Sequence, residues 1–435
     1  MNLPRFVRVE QSFPDRTISD IPTHIRKELS QSDFVSRVPR GARIAIGVGS
    51  RGISNIATIV KSVVEFWREN GAQPFVFPAM GSHGAATGEG QADVLAHYGI
   101  HEATIGVPVI SSLDVVELGK TPEGIITYVS RDAHEADAIF LVGRVKAHTD
   151  FSGKIESGLL KMMAIGLGKL AGARQYHTFA YRNGLESVIR SVGSHILAHS
   201  KILGGLAIQE GAHHETAGLV AVSSAQGAAA MIAKEEALLA QTKSWAAKLP
   251  APEIDILIVD EIGKNISGAG MDTKVINRSV VGHYNPFPNT PIVHRIYVRG
   301  LSELTYNSGI GMGLADAVHE SMVSQVDKRP TYLNALTAST PANARIPIHF
   351  PSDAEALASL APTVGKIDLY DVTYCRIRNT LELVHATVSE NLIPSLYPNV
   401  RVTSEPFEVP FDSPSDFGEF PATAETADVS ERVGH

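Results

Sequence analysis

RIAIGVGSRGISNIATIVKSVVEFWRENGAQPFVFPAMGSHG, residues 43–84, decides the fold class. Arg43–Val48 is an apolar run of strand length, and GSRGISN after it is a polar loop. Ile53–Asn70 carries apolar residues at helical spacing and stops at Gly71, and Gln73–Pro78 is a second strand. PAMGSHGAATGEG is then a glycine-rich loop that opens a helix near Glu89, and Ala138–Val142 repeats the strand–loop pattern. Strands alternating with helices predict an α/β fold, with function at the carboxyl ends of the strands.

Working outward, the first folded unit is expected to begin near Gly41. Leu203–Gln209 reads as a strand and Gln226–Ala247 as a long helix. LPAPEID is a proline-marked linker, and Ile254–Val259 starts a fresh strand, so a boundary is expected near residue 252. This gives a catalytic domain over 1–252, a second α/β domain over 253–404, and an active site in the cleft between them. Within the second domain Ile292–Val298 and Thr380–Val388 read as strands and Leu314–Val326 as a helix. From Glu405 eight acidic residues face one arginine, and residues 405–435 read as an acidic, proline-rich tail, extended or disordered, whose phenylalanines can dock on a neighbouring surface.

A net charge of -8 argues against a nucleic-acid partner. The single cysteine, Cys375, excludes a disulfide framework and a multi-thiolate metal site within one chain. Any transition metal then needs histidine, carboxylate, water or a cofactor's own ligands. The N-terminus shows no apolar signal core and no run long enough to span a membrane, so a cytoplasmic address without a membrane partner is expected. A homo-oligomer is left open.

The segment Gly143–His177, GRVKAHTDFSGKIESGLLKMMAIGLGKLAGARQYH, carries the densest chemistry. Lys161 sits within an apolar run from Leu159 to Ile165, where desolvation favours a neutral, nucleophilic amine. The alternative is a lysine that keeps its head in water. His83 and His148 each follow a strand and suit proton transfer near neutral pH, as a pair on opposite faces of a substrate carbon or as two unrelated surface histidines. His177 is a candidate metal ligand. Ser50 and Arg51 lie between a strand and a helix, where an anion site or a surface ion pair is expected. His195 with His199, His213–His214 with Glu215, and Lys264 with Asn265 are further polar candidates with plainer readings as surface or turn residues.

The set GSRGI, MGSHG, GRVKAH, ESGLLKM and QYH resembles the nickel-pincer-dependent lactate racemase family over roughly residues 40–270. The resemblance implies a racemase or epimerase of a 2-hydroxy acid. Its cofactor would be nickel with pyridinium-3,5-bisthiocarboxylic acid mononucleotide, joined to Lys161 and supplied by cofactor-biosynthesis enzymes. His177 would hold the nickel, His83 and His148 would be the acid–base pair, and Ser50 and Arg51 would contact cofactor, with Arg51 also near substrate. The implied chemistry is proton-coupled hydride transfer through a planar 2-oxo acid. The resemblance departs at Val48, where the lactate-acting member has an acidic residue, and around Ser267–Met271, which lacks its polar Gln and Lys. These departures point to a hydroxy acid other than lactate, with Lys146, Asp150 or Lys154 taking over substrate contacts. The rival readings are a Zn²⁺- or Mg²⁺-dependent hydrolase or lyase using the same histidines, and a non-catalytic anion-binding protein.

Overall fold

The computed structural model describes residues 3–50, 52–149, 151–409, 411–412 and 416–420. The described residues form two compact α/β units: Asp15–Ala246, and those up to Pro14 together with those from Ala247 to 420. In chain order the main strands are β1 (Phe6–Gln11), β2 (Arg43–Val48), β3 (Gln73–Pro78), β4 (Val115–Lys120), β5 (Ile126–Ser130), β6 (Ala138–Val145), β7 (Ile202–Glu210), β8 (Thr216–Ser223), β9 (Glu253–Ile262), β10 (Ile292–Leu301), β11 (Ala317–His319), β12 (Ile348–Phe350), β13 (Tyr374–Ile377), β14 (His385–Ser389) and β15 (Val400–Val402).

The Asp15–Ala246 unit is built on a sheet of order β3-β2-β6-β7-β8, in which only β8 runs antiparallel to its neighbour. β2 and β6 are buried on both faces, which is why they read as continuous apolar runs rather than alternating ones. Ile44, Ile46 and Val48 face one core with the helix Ile56–Glu69. That helix offers Ile56, Ile59, Val60, Val63 and Trp67 along one stripe, and Trp67 meets Phe140 edge-on at 5.6 Å. Ala45, Ile139 and Leu141 face the second core with Leu159, Leu160, Met163 and the helices Leu185–His199 and Gly227–Trp245. β4 and β5 form a separate antiparallel ribbon.

The other unit holds a mixed sheet of order β12-β11-β10-β9-β13-β14-β1-β15, parallel from β12 to β13 and antiparallel beyond. Its first strand comes from the N-terminus: Phe6, Val7 and Val9 are buried, and β1 lies between β14 and β15. The expected start near Gly41 is therefore corrected, since β1 and the helix Ile21–Ser30, capped by Asp20, both precede it. The expected helix Leu314–Val326 is corrected as well. Ala317 and Val318 are fully buried and pair with β10 and β12, leaving only Glu320–Gln325 helical. Thr380–Val388 is a strand only from His385, because the Asn379 side chain accepts from the Leu381 and Glu382 N–H groups and turns the chain.

The end of the described chain is strapped to the same unit. Phe417 is 4% exposed, and Arg299 and Arg376 donate to the Phe417 and Gly418 carbonyls, each at 2.6 Å. Residues 421–435 of the expected tail lie outside the described residues. Among the described residues no helix is long and apolar enough to cross a membrane.

Candidate active site

Because β3, β2, β6 and β7 are parallel, the loops that follow them emerge at one edge of the sheet. The chain passes from β2 to β3 on one side, then returns to β6 on the other, so the strand order switches at β2. Such a switch opens a crevice between the two diverging loops. Ser50 follows β2, His83 follows β3, and Lys146 and His148 follow β6. Four sequence-predicted residues therefore gather at this edge.

Hydrogen bonds tie the loops together. Ser50 Oγ lies 2.8 Å from His83 Nδ1, and the Tyr98 hydroxyl donates to the Ser50 carbonyl at 3.3 Å. Arg144, near the end of β6, donates to the Gly52 carbonyl at 3.2 Å and to Glu210 Oε2 at 2.7 Å, so it bridges the β2 loop and β7. Burial opposes ionisation of Glu210, yet Arg144, then Lys146 and His214, hold its carboxyl below the ordinary range. His148 packs its ring against Phe151 at 4.7 Å and donates its backbone N–H to Glu156 at 2.6 Å. Arg51 and Asp150 lie outside the described residues.

The loop from Lys146 to Gly158 is held by carboxylates that sequence reading passed over. Fully buried Glu156 accepts from His148 and Gly153 and pairs with Lys243. Glu186 accepts from the Lys154 and Ile155 N–H groups, so the expected substrate contact Lys154 has its backbone committed to the scaffold. Glu235, on the helix Gly227–Trp245, accepts from Leu159 and Leu160 at the start of the turn that carries Lys161. Burial pushes its carboxyl up to about 8, outweighing those two N–H bonds. Lys161 follows directly and is half-buried, which corrects the expectation of a deeply desolvated amine. Among the described residues the fully buried lysine is Lys169.

The His83 loop packs at Gly81 against the stretch of chain between Lys161 and His177. A Cβ on Gly81 would lie 3.0 Å from Ala173 Cβ and 3.2 Å from Ile165 Cγ2. Lys161 stands about one turn before Ile165, and His177 one turn beyond Ala173 on the helix Lys169–Asn183. His177 is exposed.

The chain is similar in fold to a solved structure, the lactate racemase apoprotein from Thermoanaerobacterium thermosaccharolyticum, with a TM-score of 0.50 over 85% of this chain and 99% of that one. The chain has a lactate racemase-like fold. Sequence identity to that protein is 15%. The chain is also similar to a structural-genomics protein from Thermotoga maritima, at 15% identity and a TM-score of 0.47, covering 76% of this chain and 84% of that one. No protein-family model matches the sequence, and no curated protein matches it.

The remaining candidates fall elsewhere. His195 and His199 stack at 4.0 Å with their planes 19° apart, so their nitrogens lie in near-parallel planes rather than converging on an ion. The His213 N–H donates to Glu215, and His214 turns the chain at φ +59°. Lys264 and Asn265 belong to the other unit, where they bond to Asn334 and Ser302. That unit also holds His319, Asp353 and Asp416 within mutual reach. There both Asp353 oxygens are taken by Tyr297, Arg299 and Phe417 and the Ser321 N–H donates to His319 Nδ1, while the buried His319 Nε2, 3.4 Å from Asp416 Oδ1, makes no hydrogen bond.

The donor set fits a soft-ligand nickel cofactor that brings its own sulfur. Cys375 is buried in the other unit and burial pushes its thiol far up, so it offers no thiolate. Lys161, half-buried, and His177, exposed, are the residues that would hold such a group.

Proposed function

We propose that this protein racemises or epimerises a 2-hydroxy acid with the help of a nickel–pincer nucleotide tethered to Lys161. The observation that carries the reading is the His83 loop, bonded to Ser50 and packed at Gly81 against the segment that bears Lys161 and His177, on a lactate racemase-like fold.

In this reading the cofactor, when bound, supplies an acceptor for the hydride on C2 of the substrate. Lys161 anchors it and His177 is the protein ligand to nickel. Ser50 and Arg51 contact its anionic part, and Arg51 also reaches substrate. Lys146, pointed into a region where Glu210 is balanced by Arg144, contributes the cation that holds the substrate carboxylate. The loops of His83 and His148 lie on opposite sides of the β2 loop. Each imidazole then serves one face of C2: it accepts the hydroxyl proton when hydride leaves from its side and returns a proton when the opposite face has reacted. Ser50 orients the His83 ring through Nδ1. Glu156 fixes the backbone of His148.

The test is co-expression with the cofactor-making enzymes, followed by intact mass, metal content and a panel of chiral hydroxy and aldonic acids. Added mass on Lys161 with one nickel is expected. His83→Asn and His148→Asn should each slow inversion at C2 by ~10²–10⁴-fold. Undiminished inversion in both variants removes the mechanism, and zinc without added mass on Lys161 removes the cofactor.

A further inference from the structure

Lys169 is 0% exposed and lies midway between Lys161 and His177, eight residues from each. Its backbone has φ +50°, a left-handed conformation that a lysine adopts only when its surroundings enforce it. There the chain leaves the π-helical turn Met162–Gly166 and enters the helix Lys169–Asn183. The side chain turns back toward the sheet, its ammonium 5.8 Å from the centre of the Phe77 ring.

The ammonium donates to the Pro78 carbonyl at 2.6 Å and to Gln91 Oε1 at 3.1 Å. Gln91 is also 0% exposed, and its amide donates to the Met80 carbonyl at 3.3 Å and the Gly81 carbonyl at 3.0 Å. Three carbonyls on the approach to His83 are thus held from one buried point. The surfaces this pair joins are in tight contact. A Cβ on Gly166 would come within 2.6 Å of the Ala79 carbonyl oxygen, and one on Gly81 would crowd Ala173 and Ile165. An apolar residue at 169 would fill the same space but leave the Pro78 carbonyl and the Gln91 amide oxygen unsatisfied.

We infer that Lys169, acting through Gln91, is the positioning residue that locks the His83 loop in register with the segment carrying Lys161 and His177. It touches neither substrate nor cofactor. Its kinetic consequence rests on the racemase reading above, whereas the register itself does not. Burial lowers the pKa of the amine to about 8, against the pull of Asp132, so it is charged through the neutral range.

Hydrogen exchange read by mass spectrometry on the protein without cofactor tests this directly. Lys169→Met and Gln91→Met should each speed exchange of residues 79–84 by at least about tenfold while β6 and the helix Leu185–His199 stay protected. The double variant should exchange no faster than either single one, since the two residues act as one clamp. The NMR titration of the His83 ring should shift in both. In loaded enzyme kcat should fall by about 10²-fold with KM little changed. Unchanged exchange at 79–84 in a folded variant overturns the inference, and so does acceleration spread evenly over the Asp15–Ala246 unit. If Lys169→Met does not fold, Gln91→Met decides by the same readout. Inactive wild-type protein with a protected loop that loosens in the variants refutes the racemase reading alone.

Discussion

Replacing Glu235 by Gln should abolish a pH dependence of stability that the wild-type fold carries. Glu235 is 1% exposed, and burial raises its carboxyl from the ordinary 4.5 to about 8. A group whose pKa is higher in the folded than in the unfolded state takes up a proton on folding between those values. Its contribution is therefore fully present below pH 4.5 and is lost as pH rises through 8. The loss runs at about 1.4 kcal/mol per pH unit and totals about 5 kcal/mol. Glutamine keeps an oxygen for the Leu159 and Leu160 N–H groups and does not titrate. The stability of Glu235→Gln minus that of wild type should then climb steadily from pH 5 to pH 8 and level off. Lys169, whose depressed pKa makes stability rise with pH between about 8 and 10.5, is common to both proteins and cancels in the difference. Urea unfolding followed by tryptophan fluorescence is the assay, because Trp67 and Trp245 both lie in the Asp15–Ala246 unit. A difference that stays flat over this range would falsify the reasoning and mean that the two N–H groups keep the carboxylate ionised in spite of its burial.

Two further outcomes follow from close contacts. Arg144→Met strands the buried Glu210 carboxylate and should cost about 3–5 kcal/mol at neutral pH. Because the Glu210 carboxyl is held below its ordinary value, that contribution fades as pH falls, so the penalty should shrink in acid, read by the same urea titration. A Cβ at Gly143 would lie 2.2 Å from Met162 Sδ, so Gly143→Ala should destabilise by about 1–3 kcal/mol, and Met162→Ala in the same chain should suppress part of the loss. A Gly143→Ala protein as stable as wild type would show that Met162 swings clear at no cost.

The central strands β2, β3, β6 and β7 were legible because parallel strands buried on both faces leave unbroken apolar runs in the sequence. The loops after them were legible because glycine and polar residues interrupt those runs. β1 alternates buried and exposed positions over only six residues, and its partners lie nearly four hundred residues away, so nothing local marks it as part of a sheet. β11 has three residues, too few to outweigh the helical look of its surroundings. Within the site, residue types following strands pointed to Ser50, His83 and His148, and the departures from the family pattern pointed to Lys146. Glu156, Glu210 and Glu235 escaped because an acidic residue looks solvated until the backbone amides or arginine it meets are known. Lys169 did leave a signal: in GLGKLAG it sits among small and apolar residues, and the argument that singled out Lys161 applies eight positions later with greater force.

The placement of β1 governs the order in which the molecule can assemble during synthesis. The first strand leaves the ribosome long before β14 and β15, the two strands that flank it, exist. All of Asp15–Ala246 emerges in the interval and can complete its own sheet while the amino-terminal strand waits unpaired. Closure of the second sheet is therefore reserved until β14 and β15 have been made, and nascent chains halted before His385 carry β1, with its Phe6, Val7 and Val9, without the two strands that cover it.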